Sequence, residues 1–103
     1  MTQRRRLADR RLAETFELEV GSLRYTATIG RYADGMVGEI FLQNHKPGSQ
    51  SDSNARDAAV AASLALQFGC PIETLQRALL RGSRGRPSTP LGAAVDIIVG
   101  RKS

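Results

Sequence analysis

The chain has 103 residues and a mass of 11.2 kDa, with 41% hydrophobic and 24% charged residues, which fits one compact domain and leaves no room for a second. A domain of this size hides only about 60–70% of the surface of its unfolded chain, so a large multi-step enzyme with a cleft between lobes is excluded. Fifteen Lys+Arg against ten Asp+Glu give +5 and a pI near 10.3, a balance that favours anionic partners such as nucleic acid, nucleotides or acidic protein surfaces.

Residues 1–11 are polar, charged and without period, and are expected to form a flexible basic arm. From Thr15 to Val20 the chain alternates, with Phe16, Leu18 and Val20 on one face and Thr15, Glu17 and Glu19 on the other, which predicts a half-buried strand. Gly21-Ser22 makes a two-residue turn into a second strand, where Leu23, Tyr25, Ala27 and Ile29 alternate with Arg24, Thr26 and Thr28. In that hairpin Glu17 or Glu19 faces Arg24 or Thr26. Ala33-Asp34-Gly35 is a second turn signal, because Asp-Gly supplies the positive φ of a tight hairpin. A third strand is expected over residues 36–42, with Met36, Ile40 and Leu42 on one face and Val37, Glu39 and Phe41 on the other. Apolar residues on both faces imply a central strand or a second face that meets another subunit.

Residues 44–54 contain Lys46-Pro47-Gly48 and several Ser and Asp residues without an apolar anchor, and are expected to be a flexible loop. A helix follows from Asn54 to Phe68, with Ala55, Ala58, Ala62, Ala65 and Leu66 recurring at helical spacing and Val60 and Leu64 widening the buried stripe. Asp52 or Ser53 is the expected cap and Gly69 the left-handed stop. Pro71 opens a second helix that buries Ile72, Leu75, Ala78 and Leu79 and ends at Gly82, placing Arg77 and Arg81 one turn apart. After a Gly/Ser/Arg/Pro linker, Thr89 caps and Pro90 begins a third helix carrying Leu91, Ala94, Val95 and Ile98, ended by Gly100. Three strands followed by three helices predict an α+β domain over residues 12–100, with the helices packed on one face of an antiparallel sheet and a short tail at 101–103.

The cations are mostly arginine, thirteen of the fifteen, and arginine's fixed fork suits phosphate and carboxylate better than lysine does. They cluster. Arg4, Arg5, Arg6, Arg10 and Arg11 stand against Asp9 alone near the start, and Arg77, Arg81, Arg84 and Arg86 near the other end. The second cluster runs into Gly82-Ser83-Arg84-Gly85-Arg86 just before a helix start, a pattern suited to an anion and equally to a solvated linker. Arg4, Arg5, Arg6, Arg77, Arg81, Arg84 and Arg86 are therefore the candidate anion-binding residues, with Tyr25 and Tyr32 as the available aromatics for base stacking.

Catalytic patterns are scarce. His45 is the single histidine and lies in the expected loop, so nucleophilic catalysis through it requires that loop to order. One His and the single Cys70 do not make a metal site, and no metal or other cofactor is expected. Cys70 precedes a helix, where a thiol is either dipole-activated or buried and inert. One cysteine also argues against a disulfide-stapled secreted scaffold. With no apolar run of about 20 residues, a cytoplasmic location is expected. Asp34, Glu39, Asp57 and Asp96 are the remaining acids: Asp34 fits turn chemistry, Asp57 a first helical turn, and Glu39 a pairing with an arginine within the fold.

Arg6-Leu7, Asp9-Arg10-Arg11, Tyr25-Thr26, Gly30, Tyr32, Asp34-Gly35, Gly38-Glu39-Ile40-Phe41, Gly48 and Ser63-Leu64-Ala65-Leu66-Gln67 with Gly69 and Pro71 form one ordered pattern. It resembles the C-terminal TSCPD domain of adenosylcobalamin-dependent (class II) ribonucleotide reductases, which also occurs as small stand-alone proteins. The resemblance spans nearly the whole chain and is most specific in residues 34–41 and 63–71. It marks Asp34, Gly35, Gly38, Glu39, Gln67 and Gly69 as family-motif residues, and implies a small module of a deoxynucleotide-making enzyme without its catalytic barrel. The reductase chemistry of that family needs a radical cysteine, a redox cysteine pair and a cobalamin site, for which Cys70 alone does not suffice. Ala8 stands where the reductase versions often place proline, and the family's cysteine-containing terminal motif is absent.

Two readings follow. The first is a non-catalytic accessory or binding module related to ribonucleotide reductase, acting by protein contacts with a reductase chain or another nucleotide-metabolism partner. The second is a stand-alone nucleic-acid or nucleotide binder that uses the arginine clusters. A homodimer through the third strand or the alanine-rich helix is compatible with both.

Overall fold

The computed structural model describes residues 3–100; the expected tail at 101–103 lies outside the described residues. The alternating segments form β1 (Ala13–Val20), β2 (Leu23–Arg31) and β3 (Val37–Asn44), one antiparallel sheet in the order β1-β2-β3. The Gly21-Ser22 turn sets the first register, with Val20 opposite Leu23, Glu19 opposite Arg24 and Glu17 opposite Thr26. At the second turn Gly35 has φ +90° and Asp34 Oδ1 accepts the Met36 amide at 2.9 Å, the chemistry expected of Asp-Gly. β3 begins one residue later than the alternation implied, after a register shift at Gly30/Arg31. Met36, expected on the buried face with Ile40 and Leu42, lies beyond the strand end and is exposed. Of the two explanations for a third strand apolar on both faces, a central position is ruled out: β2 is central and β3 is an edge.

Helix α1 spans Gln50–Gln67 and starts four residues before the expected Asn54. Ser49 is its cap, with Oγ accepting the Asp52 amide at 3.1 Å, while the Asp52 carboxylate reaches back to the amides of Gly48 and Asn44 at 3.1 and 2.9 Å. Ser49 thus satisfies one free amide of the first helical turn, and the Asp52 carboxylate ties the preceding loop and the end of β3 to the helix start. The expected flexible loop at 44–54 thereby shrinks to residues 45–49, bounded by a buried carboxylate. At the other end Gly69, at φ +101°, lets its own amide bond to Leu66 O and that of Cys70 to Ala65 O, the paired bonds of a Schellman stop.

Helix α2 (Ile72–Ala78) is shorter than expected, and Leu79 already has extended backbone. Arg81 is therefore not on a helix. It pairs with Pro87 across an isolated bridge that closes a small hairpin around a 3-10 turn at Ser83–Gly85. Helix α3 (Pro90–Gly100) starts as expected, with Thr89 Oγ1 accepting the Gly92 amide at 3.1 Å.

One face of the sheet is covered. Phe16, Leu18, Tyr25, Ala27, Ile29, Ile40 and Leu42 meet the buried stripe of α1 (Ala55, Ala59, Ala62, Leu66) and that of α3 (Leu91, Ala94, Val95, Ile98). Packing α1 against β3 and α3 against β1 gives the α+β arrangement of a three-stranded sheet followed by three helices. The alanines of α1 let its backbone come close to β3. That proximity lets Ser63 Oγ donate to the Ile40 carbonyl at 3.1 Å and accept its amide at 2.8 Å, and Gln67 Nε2 donate to Gly38 O at 2.9 Å.

Candidate functional site

The motif residues collect at one corner, around the N-terminal segment. Residues 3–11, expected as a free basic arm, form no helix or strand, yet they are tied to the domain. The Arg5 amide donates to Gln67 O at 2.7 Å, and Arg4 Nε donates to Gln67 Oε1 at 2.6 Å. Gln67 is buried and bridges this segment to Gly38. Tyr32 donates its hydroxyl to Arg5 O at 2.7 Å, and the Arg5 guanidinium stacks 3.7 Å from the centre of that ring. The same guanidinium pairs with Asp34 at 3.0 Å. The Met36 amide first, and Arg5 after it, hold the Asp34 carboxyl below the usual carboxylate range.

Two glycines make the corner possible by lacking a side chain. A Cβ on Gly38 would lie 2.6 Å from the Tyr32 ring, and one on Gly30 would overlap Glu39 Oε1. Glu39 folds over Gly30 and pairs with Arg11 at 2.5 Å, the internal arginine partner expected for it. Asp34, Gly38, Glu39 and Gln67 thus form one structure that holds residues 4, 5 and 11. Gly35 shapes its turn and Gly69 ends the helix that carries Gln67.

The second arginine cluster is divided. Arg81 is locked: it pairs with both oxygens of Asp96 at 2.6 and 3.0 Å and donates to Gly85 O at 2.8 Å. Arg81 holds the Asp96 carboxyl below its usual range, and Gln76 adds a hydrogen bond to it at 3.1 Å. Arg77, Arg84 and Arg86 are exposed and take part in none of the ion pairs among the described residues, and Arg6 is likewise exposed.

Other candidates are placed as follows. His45 Nε2 lies 2.9 Å from Glu17 Oε1 and 3.1 Å from Thr26 Oγ1, a cluster on the uncovered sheet face that the sequence did not announce. Thr26 directs its hydroxyl proton to Glu17 at 2.7 Å rather than to His45, the wrong polarity for His45 to act as its base. That bond from Thr26 is the main cause holding the Glu17 carboxyl below its usual range. Asp57 is exposed and well past the first helical turn, so Asp52 is the acid at the helix start. Cys70 is half-buried, and both tyrosines are buried in the fold. Among the described residues no three His, Cys, Asp or Glu side chains come together as metal ligands, and no helix is long and apolar enough to cross a membrane.

The expected burial of Val60 and Leu64 is not observed. They are 58% and 41% exposed and form, with Phe68, an outward stripe on α1. Phe41, on the uncovered face of β3, is 53% exposed. A groove of about 490 Å³ runs between Phe41 and this stripe, bordered by Arg4 and Arg56. A second cleft of about 510 Å³ lies beside Tyr32, Met36 and Cys70.

Comparison with known proteins finds similarity to vitamin B12-dependent ribonucleotide reductases. The Bradyrhizobium diazoefficiens enzyme is 38% identical over 73 residues, covering 71% of this chain and 6% of that protein. The Agrobacterium fabrum enzyme is 37% identical over 71 residues, 69% of this chain and 6% of the enzyme, and that of Rhodopirellula baltica 32% over 73 residues, 71% and 7%. The chain is thus homologous to a short segment of these enzymes and spans 6–7% of their length. No family model matches the chain, and no solved structure matches it.

Proposed function

We propose that this chain is a ribonucleotide reductase-related module that acts by contact with a reductase chain, as a TSCPD-like accessory domain rather than a catalyst. The observation that carries this reading is the pairing of inward and outward surfaces. The motif side chains Asp34, Glu39 and Gln67 are engaged in holding the fold, while Phe41, Val60, Leu64 and Phe68 present apolar area to solvent. Contiguous exposed apolar surface of this kind is a feature of protein contact sites. Homology to a short piece of much longer reductases supports a partner of that kind.

The test is affinity co-purification of the tagged chain from its source lysate, with and without nuclease, read by mass spectrometry. The expected result is a reductase chain that persists after nuclease and is lost when Leu64 is replaced by Asp. Ribonucleotide reduction by the purified chain alone would overturn the accessory reading.

A further inference from the structure

The hairpin around residues 80–88 does not belong to the motif corner and has a different construction. Arg81, through Asp96 and Gly85 O, fastens the hairpin to α3 and fixes its own turn. The Gly82 amide to Arg86 O at 2.8 Å and the Ser88 amide to Leu80 O at 3.0 Å close the ladder. At its base a Cβ on Gly92 would lie 3.2 Å from Pro87, so the hairpin rests closely on the start of α3. The tip residue is Arg84, at φ 65° and ψ 16°, the single non-glycine residue with positive φ among the described residues. That conformation is costly for an L-residue and suits glycine. A long charged side chain is carried there, two residues before the exposed Arg86, and Arg81 joins the hairpin to the end of α2 by donating to the Gln76 carbonyl at 3.4 Å, next to the exposed Arg77.

We infer that Arg77, Arg84 and Arg86 form a docking surface for the phosphate backbone of duplex nucleic acid, with Arg81 as its internal brace. Three considerations select this partner. None of these three arginines borders either cleft described above, and all three are exposed, so they offer an extended polyanion a surface rather than a lined cleft. The segment 77–88 contains no aromatic residue on which single-stranded bases would stack. The tip itself, Ser83 to Arg86, has no apolar side chain to form the dry centre of a protein interface. Backbone contact by guanidinium groups is a recognised way to bind duplex without reading its sequence. This inference does not depend on the reductase kinship.

The test uses the full chain and a fluorescein-labelled 20-base-pair DNA duplex, read by anisotropy. Three phosphate contacts predict affinity that falls about 40-fold between about 50 and about 200 mM salt. Arg84→Gly keeps the backbone conformation and removes the guanidinium, so its melting temperature is expected not to fall while duplex affinity drops severalfold. The triple variant Arg77→Gln, Arg84→Gly, Arg86→Gln should lose most of the salt dependence. Absence of duplex binding at about 50 mM salt, or unchanged binding by the triple variant, overturns the proposal. So does equal affinity for ATP or for poly-glutamate, which would replace the phosphate backbone with a mononucleotide or an acidic chain.

Discussion

Arginine is used differently at the two ends of this molecule. Around the N-terminal segment, Arg4, Arg5 and Arg11 are each matched to a group presented by the folded domain, a buried amide, a carboxylate beside an aromatic ring, and a carboxylate lodged over a glycine, while Arg6 and Arg10 are exposed. Around the hairpin at 80–88 only Arg81 is matched, fastening the turn to α3, while Arg77, Arg84 and Arg86 are exposed. Sequence charge looks alike in the two clusters, but the surface left for a partner does not. The difference teaches that a basic cluster must be reduced by its internal acceptors before it is read as a binding site.

The contrast breaks most severely at Gly38. Gly38→Val drives a side chain into the Tyr32 ring, and a destabilisation of about 3 kcal/mol is expected from urea unfolding, together with release of residues 3–5 to rapid amide exchange. Acid acts next. The Asn44 amide, then that of Gly48, holds the Asp52 carboxyl below the usual range, so the unfolded chain takes up this proton more readily than the folded one. Its contribution is present above the ordinary carboxylate pKa of roughly 4 and is lost as pH falls through the folded value. The urea midpoint of Asp52→Asn should therefore lie below that of the wild type at neutral pH and converge with it on acidification; a gap unchanged at acid pH would refute this role. Ser63→Ala leaves the Ile40 amide and carbonyl without their partner, with an expected cost of about 1–2 kcal/mol in urea unfolding. Thr89→Ala removes the cap of α3 and should cost about 1 kcal/mol, without altering contacts of the N-terminal segment as seen by exchange. Equal protection loss at both ends would show that the two regions are one unit rather than two.

The first two strands, both turns, the end of α1 and the start of α3 were legible because each rests on local rules: alternation for β1 and β2, Asp34-Gly35 for a turn, Gly69 for a stop, and Thr89-Pro90 for a start. The start of α1 was hidden because its first turn is Gln, Ser, Asp and Ser, which carries no apolar period, and because its cap is Ser49 while Asp52 reaches backward to the loop amides. The exposure of Val60 and Leu64 was hidden by the same periodicity that revealed the helix, since spacing reports an apolar stripe without saying whether anything covers it. The motif residues lie strung along the sequence, and their convergence on Arg4, Arg5 and Arg11 requires contacts more than 25 positions apart. The Glu17–Thr26–His45 cluster was half legible, since the hairpin register placed Glu17 opposite Thr26 but nothing local placed His45.

An edge strand is an invitation to any other chain with a free strand to join it, and β3 is such an edge. Here α1 intervenes: Gln67 covers the Gly38 carbonyl, Ser63 both polar groups of Ile40, and Asp52 the amide of Asn44. Strand addition and the cross-β stacking that grows from it are discouraged at this side even if the protein accumulates to high concentration. At Gly38, Ile40 and Asn44 a partner that approaches β3 meets side chains instead of free backbone, which turns a general hazard of aggregation into a surface whose contacts are chosen residue by residue.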